Sequence, residues 1–183
     1  MSKLFSTILL DPPWPETKIG KFDETRHKRA DEPPYSTLSI EDIAALPIGD
    51  LADTSCNIWL WTTSRSLPDG FDLLRRWGFK YLNTVTWVKP SGFGAWWVNR
   101  TQIMLMGYRG KLVMNEKYRP NVLFAPSRRH SQKPENSYEL IERVSPGPYL
   151  EVFARTQRSP EWVAIGNEID GKDIRESIAG FLN

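Results

Sequence analysis

Asn57-Ile58-Trp59-Leu60-Trp61-Thr62 is apolar at four consecutive positions, so neither face of this segment is built for water. A strand with that pattern belongs inside a parallel sheet covered on both sides. The flanking segments alternate in type. Downstream, Phe71, Leu74 and Trp77 recur at helical spacing over Gly70 to Trp77, and Gly78 stops the run. Upstream, Thr7 to Leu10 is a short β-type run ending at Asp11, and Ile40 to Ala45 reads as a helix with Ser39 as N-cap.

Tyr81 to Lys89 alternates as a half-buried strand, and Ile103 to Tyr108, Asn121 to Phe124, Tyr149 to Phe153 and Trp162 to Ile165 add further β segments. Glu135 to Arg143, behind Pro134, and Lys172 to Leu182 read as helices. This alternation predicts an α/β fold, one sheet with helices on both faces, in a single domain spanning residues 1–183. Ligands of such sheets sit outside the carboxyl ends of the strands. Two stretches interrupt the alternation, Pro15 to Pro34 and Ser91 to Arg100, and both are expected to be loops over a site.

The chain has 183 residues and a net charge of +2, so a polyanion would have to be held by a local basic patch. A single cysteine, Cys56, excludes an internal disulfide and a cysteine-rich zinc module and suits a reducing cytoplasm. His27 and His130 are isolated, so no metal is expected. The opening apolar stretch is too short for a signal peptide or membrane span, which predicts a soluble cytoplasmic protein with no membrane partner. Eight tryptophans are unusual in so short a chain and serve either as core filler or as stacking platforms. Trp59 and Trp61, alternating in a buried strand, read as core.

The chemistry concentrates in Asp11-Pro12-Pro13-Trp14, directly after a strand. A carboxylate there faces the ligand crevice, two prolines hold their carbonyls in fixed directions, and Trp14 supplies a flat face. Such a set suits a planar ring with an exocyclic amine, adenine for example. Two acceptors on both N–H bonds would free the nitrogen lone pair and stabilise the positive charge that grows on it. The same tetrapeptide is also good turn chemistry.

Asp11 to Trp14 resembles the catalytic motif of the adenine N6-methyltransferase family, which includes the catalytic subunit of the eukaryotic messenger-RNA adenosine methyltransferase and bacterial and phage DNA adenine methyltransferases. Tyr35-Ser36-Thr37-Leu38, Trp59-Leu60-Trp61, Trp87-Val88-Lys89, His130 to Pro134, Leu150 to Arg155 and Trp162 to Glu168 continue the similarity in order, over roughly residues 6 to 170. The resemblance implies a Rossmann-like sheet, with the catalytic tetrapeptide preceding the cofactor-binding strand, and S-adenosylmethionine as methyl donor. It implies that Asp11 and the Pro12 carbonyl hold the amine, next to Pro13 and Trp14. Tyr35, Trp87, Lys89, Trp97 and Asn99 would line the target. Lys133 would reach the donor's carboxylate, Phe153 and Arg155 would lie beside its adenosine, and Asn167 and Glu168 would bind ribose and adenine. Asp11 and Glu151 are assigned to the cofactor as well, Glu151 with a buried hydrogen bond as the equal alternative.

Ala154 and Gln102 depart from the family pattern, which carries Gly and Glu there. Polymer contacts are expected from Lys18, Lys21, Arg26, Lys28 and Arg29 on one loop and Arg128 and Arg129 on another. The resulting expectation is a site-specific DNA (adenine-N6) methyltransferase of a bacterial or phage-infected cell, with DNA as partner. RNA adenosine and a catalytically silent nucleic-acid-binding relative are the alternatives, and either a homodimer or a heterodimer is left open.

Overall fold

The computed structural model describes residues 4–15, 37–94, 96–127 and 132–182. Its centre is β1 (Phe5–Leu10), which pairs in parallel with β2 (Ala52–Thr62) on one side and β6 (Tyr149–Val152) on the other. Seven strands form one sheet in the order β5-β3-β4-β2-β1-β6-β7, where β3 is Lys80–Phe93, β4 Asn99–Arg109, β5 Val122–Phe124 and β7 Trp162–Ile165. β4 runs antiparallel to both β2 and β3, so the sheet is mixed. The chain leaves β1 towards β2 and β6 towards β7, in opposite directions. That reversal opens a crevice above the carboxyl ends of β1 and β6.

The side-chain alternation predicted for buried strands sorts the core into two layers. Ile8, Leu10, Ile58, Leu60, Leu105, Leu150 and Val152 face a layer with α1 (Ile40–Ala44), α2 (Ile48–Leu51), α3 (Leu67–Arg76) and α6 (Ile174–Leu182), the last following a single turn, α5 (Asn167–Asp170). Leu9, Trp59, Trp61, Val85, Trp87, Met104, Met106 and Trp162 face the other, covered by Ile141 and Val144 of α4 (Glu135–Val144). The fold is thus α/β with helices flanking both faces, as expected. In this second layer Trp59 donates its indole N–H to Ser145 Oγ at 3.0 Å and Trp162 to Glu142 Oε1 at 2.9 Å, whereas the Trp61 indole N–H finds no acceptor among the described residues.

Among the differences from the sequence reading, three stand out. β2 begins at Ala52, five residues early, because the polar run Asp53 to Ser55 hid strand backbone that pairs from Phe5↔Ala52. α2 was not anticipated; four residues squeezed between Pro47 and β2 carry no periodicity to read. Most consequentially, Ser91 to Arg100 is the end of a long β-hairpin, β3 reaching Phe93 and pairing it with Asn99. Its glycine-rich composition signalled a loop but serves close backbone approach. A Cβ at Gly92 would sit 2.1 Å from Asn99 O.

Candidate active site

A cleft of about 1570 Å³ lies at the carboxyl ends of β1, β2, β6 and β7. That exceeds the roughly 300 to 1,000 Å³ common for one small ligand, so it has room for a donor and a base together. Because β4 is antiparallel to β2, its first residues reach the same end of the sheet, and Asn99, Thr101 and Gln102 join the wall opposite Asp11. Lys89 joins it from the far part of β3.

Asp11 leaves β1 into this cleft and accepts a hydrogen bond from Lys133 Nζ, whose side chain is 8% exposed against 26% for Asp11. The ammonium also lies 5.5 Å from the centre of the Trp61 ring. Lys133 was expected at the donor's carboxylate. It lines the cleft, and the structure pairs it with Asp11, because so buried a cation needs a counter-charge within reach. The Pro12 carbonyl accepts the Trp14 N–H at 2.9 Å, which leaves it one lone pair for a ligand, and the Pro13 carbonyl accepts the Leu38 N–H at 3.0 Å. Trp14 is locked by donating its indole N–H to Trp61 O at 3.0 Å, which fixes the plane of its ring at the cleft.

On the other side of the cleft Phe153 follows β6 with φ at 66°, a left-handed conformation that a bulky residue holds only when its surroundings enforce it. The enforcement comes from the Ala154 N–H, which donates to Ile165 O at 2.9 Å, and from Gly166, where a Cβ would approach Ala154 O to 2.3 Å. Asn167 and Glu168 follow directly, and Arg155 Nε lies 3.5 Å from Glu168 Oε1.

Several expected contacts fall elsewhere. Trp87 does not line the cleft: it is buried in the second layer, edge-on to Trp61, and donates its N–H to Ala125 O at 2.8 Å. Its neighbour Lys89 covers it, Nζ standing 4.3 Å from the ring centre. Trp97 is exposed at the hairpin tip, outside the cleft wall. Tyr35, Lys18, Lys21, Arg26, Lys28, Arg29, Arg128, Arg129, His27 and His130 lie outside the described residues. Thr63 to Ser66, after β2, and Lys172 and Asp173 were missed although they line the cleft. For the first group the signal was available, since they follow the carboxyl end of a predicted strand.

Glu151 does not reach the cleft wall either. Oε1 accepts the Tyr138 hydroxyl at 2.7 Å, while Oε2 is buried with no hydrogen-bond partner among the described residues. Burial pushes its carboxyl up to about 7; the Tyr138 hydrogen bond opposes this and the Asp11 charge adds to it. Since the folded value lies above the unfolded one, the stability this proton confers is complete below about pH 4.5 and is lost as pH rises through 7. Glu151→Gln mimics the protonated form. Urea unfolding should find the variant about 2 to 3 kcal/mol more stable than the parent at pH 8.5 and no more stable at pH 4. An equal difference at both pH values would show that the proton is not the cause.

The MT-A70 family model matches residues 5–168. The chain belongs to the MT-A70 family. Among its relatives are the Drosophila melanogaster "N(6)-adenosine-methyltransferase MT-A70-like protein", 31% identical over 179 residues, and the human "N(6)-adenosine-methyltransferase catalytic subunit METTL3", 30% identical over 179 residues. The human "N(6)-adenine-specific methyltransferase METTL4" is 29% identical over 189 residues. Each match covers 91% of this chain but only 27%, 28% and 38% of those relatives, so the chain spans between a quarter and two fifths of their length.

These MT-A70 relatives correct one expectation. A DNA methyltransferase with DNA as partner was anticipated from the small size of the chain. Apart from METTL4, which is named for adenine, the relatives from insect, plants, fish and mammals are instead named for adenosine, the ribonucleoside, and size carries no information on the polymer. The MT-A70 family uses S-adenosylmethionine, and the cleft suits it. Phe153 offers a ring face, and the amide and carboxylate of Asn167 and Glu168 suit vicinal hydroxyls at strand ends. Among the described residues no group of three or more His, Cys, Asp or Glu could hold a metal ion, and no helix is long and apolar enough to cross a membrane.

Proposed function

We propose that this chain is a single methyltransferase domain that methylates N6 of adenosine in RNA. The observation that carries the reading is Asp11, ionically paired to Lys133 at the carboxyl end of the central strand, facing across one cleft towards Phe153, Asn167 and Glu168. Bound S-adenosylmethionine supplies an electrophilic methyl group on a sulfonium. The chain does the rest. Asp11 accepts one hydrogen of the amine and the free lone pair of the Pro12 carbonyl the other, so the nitrogen lone pair is drawn out of the ring conjugation. Trp14, held by its bond to Trp61 O, stacks on the base and fixes its plane. Lys133 keeps Asp11 oriented. Asp11 need not be a strong base, since the nitrogen becomes acidic only once alkylated, and the carboxylate then holds the departing proton.

Proximity supplies several kcal/mol of the barrier lowering and the two acceptors about 2 to 4 more. Phe153, Asn167 and Glu168 are the proposed donor-binding residues, with Arg155 orienting Glu168. The test is methyl transfer from labelled donor to matched single-stranded RNA and DNA oligonucleotides with one adenine each, followed by nucleoside analysis. Label in N6-methyladenosine is expected. Label confined to the DNA oligonucleotide, or to neither, overturns the proposal.

A further inference from the structure

The hairpin tip between β3 and β4 displays more bare aromatic surface than any other part of the described residues. Phe93 and Trp96 are each 90% exposed, Trp97 82%, and Val98 follows. Scattered exposed apolar residues are ordinary, but three aromatic rings within five positions are not. The tip is also rigidly built. Gly94, at φ 154°, has no room for a Cβ, which would meet Trp97 O at 1.9 Å. The Asn99 amide donates to Trp97 O at 3.2 Å and to Phe93 O at 3.4 Å, closing the turn beneath the rings. Asn99 itself lines the catalytic cleft, so Trp97 stands two residues along the chain from the cleft wall.

The charge around the tip selects the occupant. Between Asp72 and Glu116 the sequence carries no acidic residue, and Lys89 and Arg100 are the cations nearest the tip, Lys80, Arg109 and Lys111 standing at the far end of the hairpin. Among the described residues neither Lys89 nor Arg100 is ion-paired; Arg100 Nε donates to the Lys89 carbonyl at the neck of the hairpin. Flat hydrophobic faces above unpaired cations complement bases on a phosphate chain, whereas a second copy of this tip would bring like charges together.

We infer that Phe93, Trp96 and Trp97 are a stacking platform for unpaired nucleotides flanking the target adenosine in single-stranded RNA. This rests on the proposed RNA activity and extends it from the reacting base to its neighbours. The rings read no sequence, because every base has a π-face; they lengthen the footprint and hold the strand across the cleft mouth.

The test uses the whole chain with Phe93→Ala and Trp96→Ala combined, two exposed positions outside the catalytic cleft. Fluorescence anisotropy is read with a labelled adenine-centred trinucleotide and with an RNA of roughly twelve nucleotides. The double variant should bind the longer RNA at least about tenfold more weakly and the trinucleotide as the parent does. Equal affinity of parent and variant for the longer RNA, or binding of neither RNA by the parent, overturns the platform. So does a parent that sediments as a dimer and a variant that sediments as a monomer with undiminished RNA affinity, which assigns the tip to self-association. The same oligomers as DNA separate the two levels. Methyl transfer to DNA alone removes the RNA activity, whereas a loss of binding seen only on DNA removes the RNA assignment of the platform.

Discussion

Asp11→Asn should lower the rate of methyl transfer by roughly 10²- to 10³-fold while the protein stays folded, because the substitution keeps one acceptor oxygen but removes the charge that faces the developing cation on nitrogen. Single-turnover kinetics with saturating donor read the loss, and calorimetry should find donor affinity within a few-fold of the parent. The more drastic Asp11→Ala mixes two effects. Lys133 is 8% exposed and takes its counter-charge from Asp11. Truncating that carboxylate removes the counter-charge that Asp11 gives a nearly buried ammonium, at a cost of about 1 to 3 kcal/mol after allowing for the partial exposure of Asp11. Thermal melts should therefore rank the parent above Asp11→Asn and Asp11→Asn above Asp11→Ala, whereas activity should be low in both variants. A fully active Asp11→Asn protein would remove the carboxylate from the mechanism.

Trp61→Ala should be the most destabilising single change, by about 3 to 5 kcal/mol, which for a chain of this size is a fall in melting temperature of roughly 6 to 20 °C. Trp61 is fully buried, packs edge-on against Trp87 with ring centres 6.2 Å apart, and underlies the Lys133 ammonium. Trp61→Phe separates volume from polarity. Among the described residues the Trp61 indole N–H is buried without an acceptor, so phenylalanine sheds an unsatisfied donor while keeping most of the packing. Its melt should lie within about 1.5 kcal/mol of the parent. If both variants melt like the parent, the second core layer does not depend on this ring.

Most of the architecture was legible because buried strands announce themselves. Apolar residues on both faces of Asn57 to Thr62 and the placement of Asp11 after Thr7 to Leu10 suffice to predict a sheet with a site at its carboxyl edge. The hairpin was hidden because Gly92 and Gly94 look the same in sequence whether they loosen a loop or permit two backbones to touch; only the Asn99 approach tells the cases apart. The pairing of Lys133 with Asp11 was hidden for another reason. The two lie far apart in the chain, and a lysine before a proline carries no mark of its burial. Trp87 misled because Lys89, on the same face of the strand, is itself half-buried and lies over the ring, so a tryptophan and lysine that read as a cleft wall are a core ring and its cover. The polymer partner was misjudged on chain size, a property unrelated to whether a sugar bears a 2′-hydroxyl.

The antiparallel return of β4 has an evolutionary reading. The cleft residues Thr101 and Gln102 are held in register by pairing with Val88 and Trp87, so extra residues inserted between Phe93 and Asn99 would leave that register untouched. Reach along a polymer and methyl-transfer chemistry can then diversify separately, one by lengthening a turn, the other by exchanging side chains beneath it.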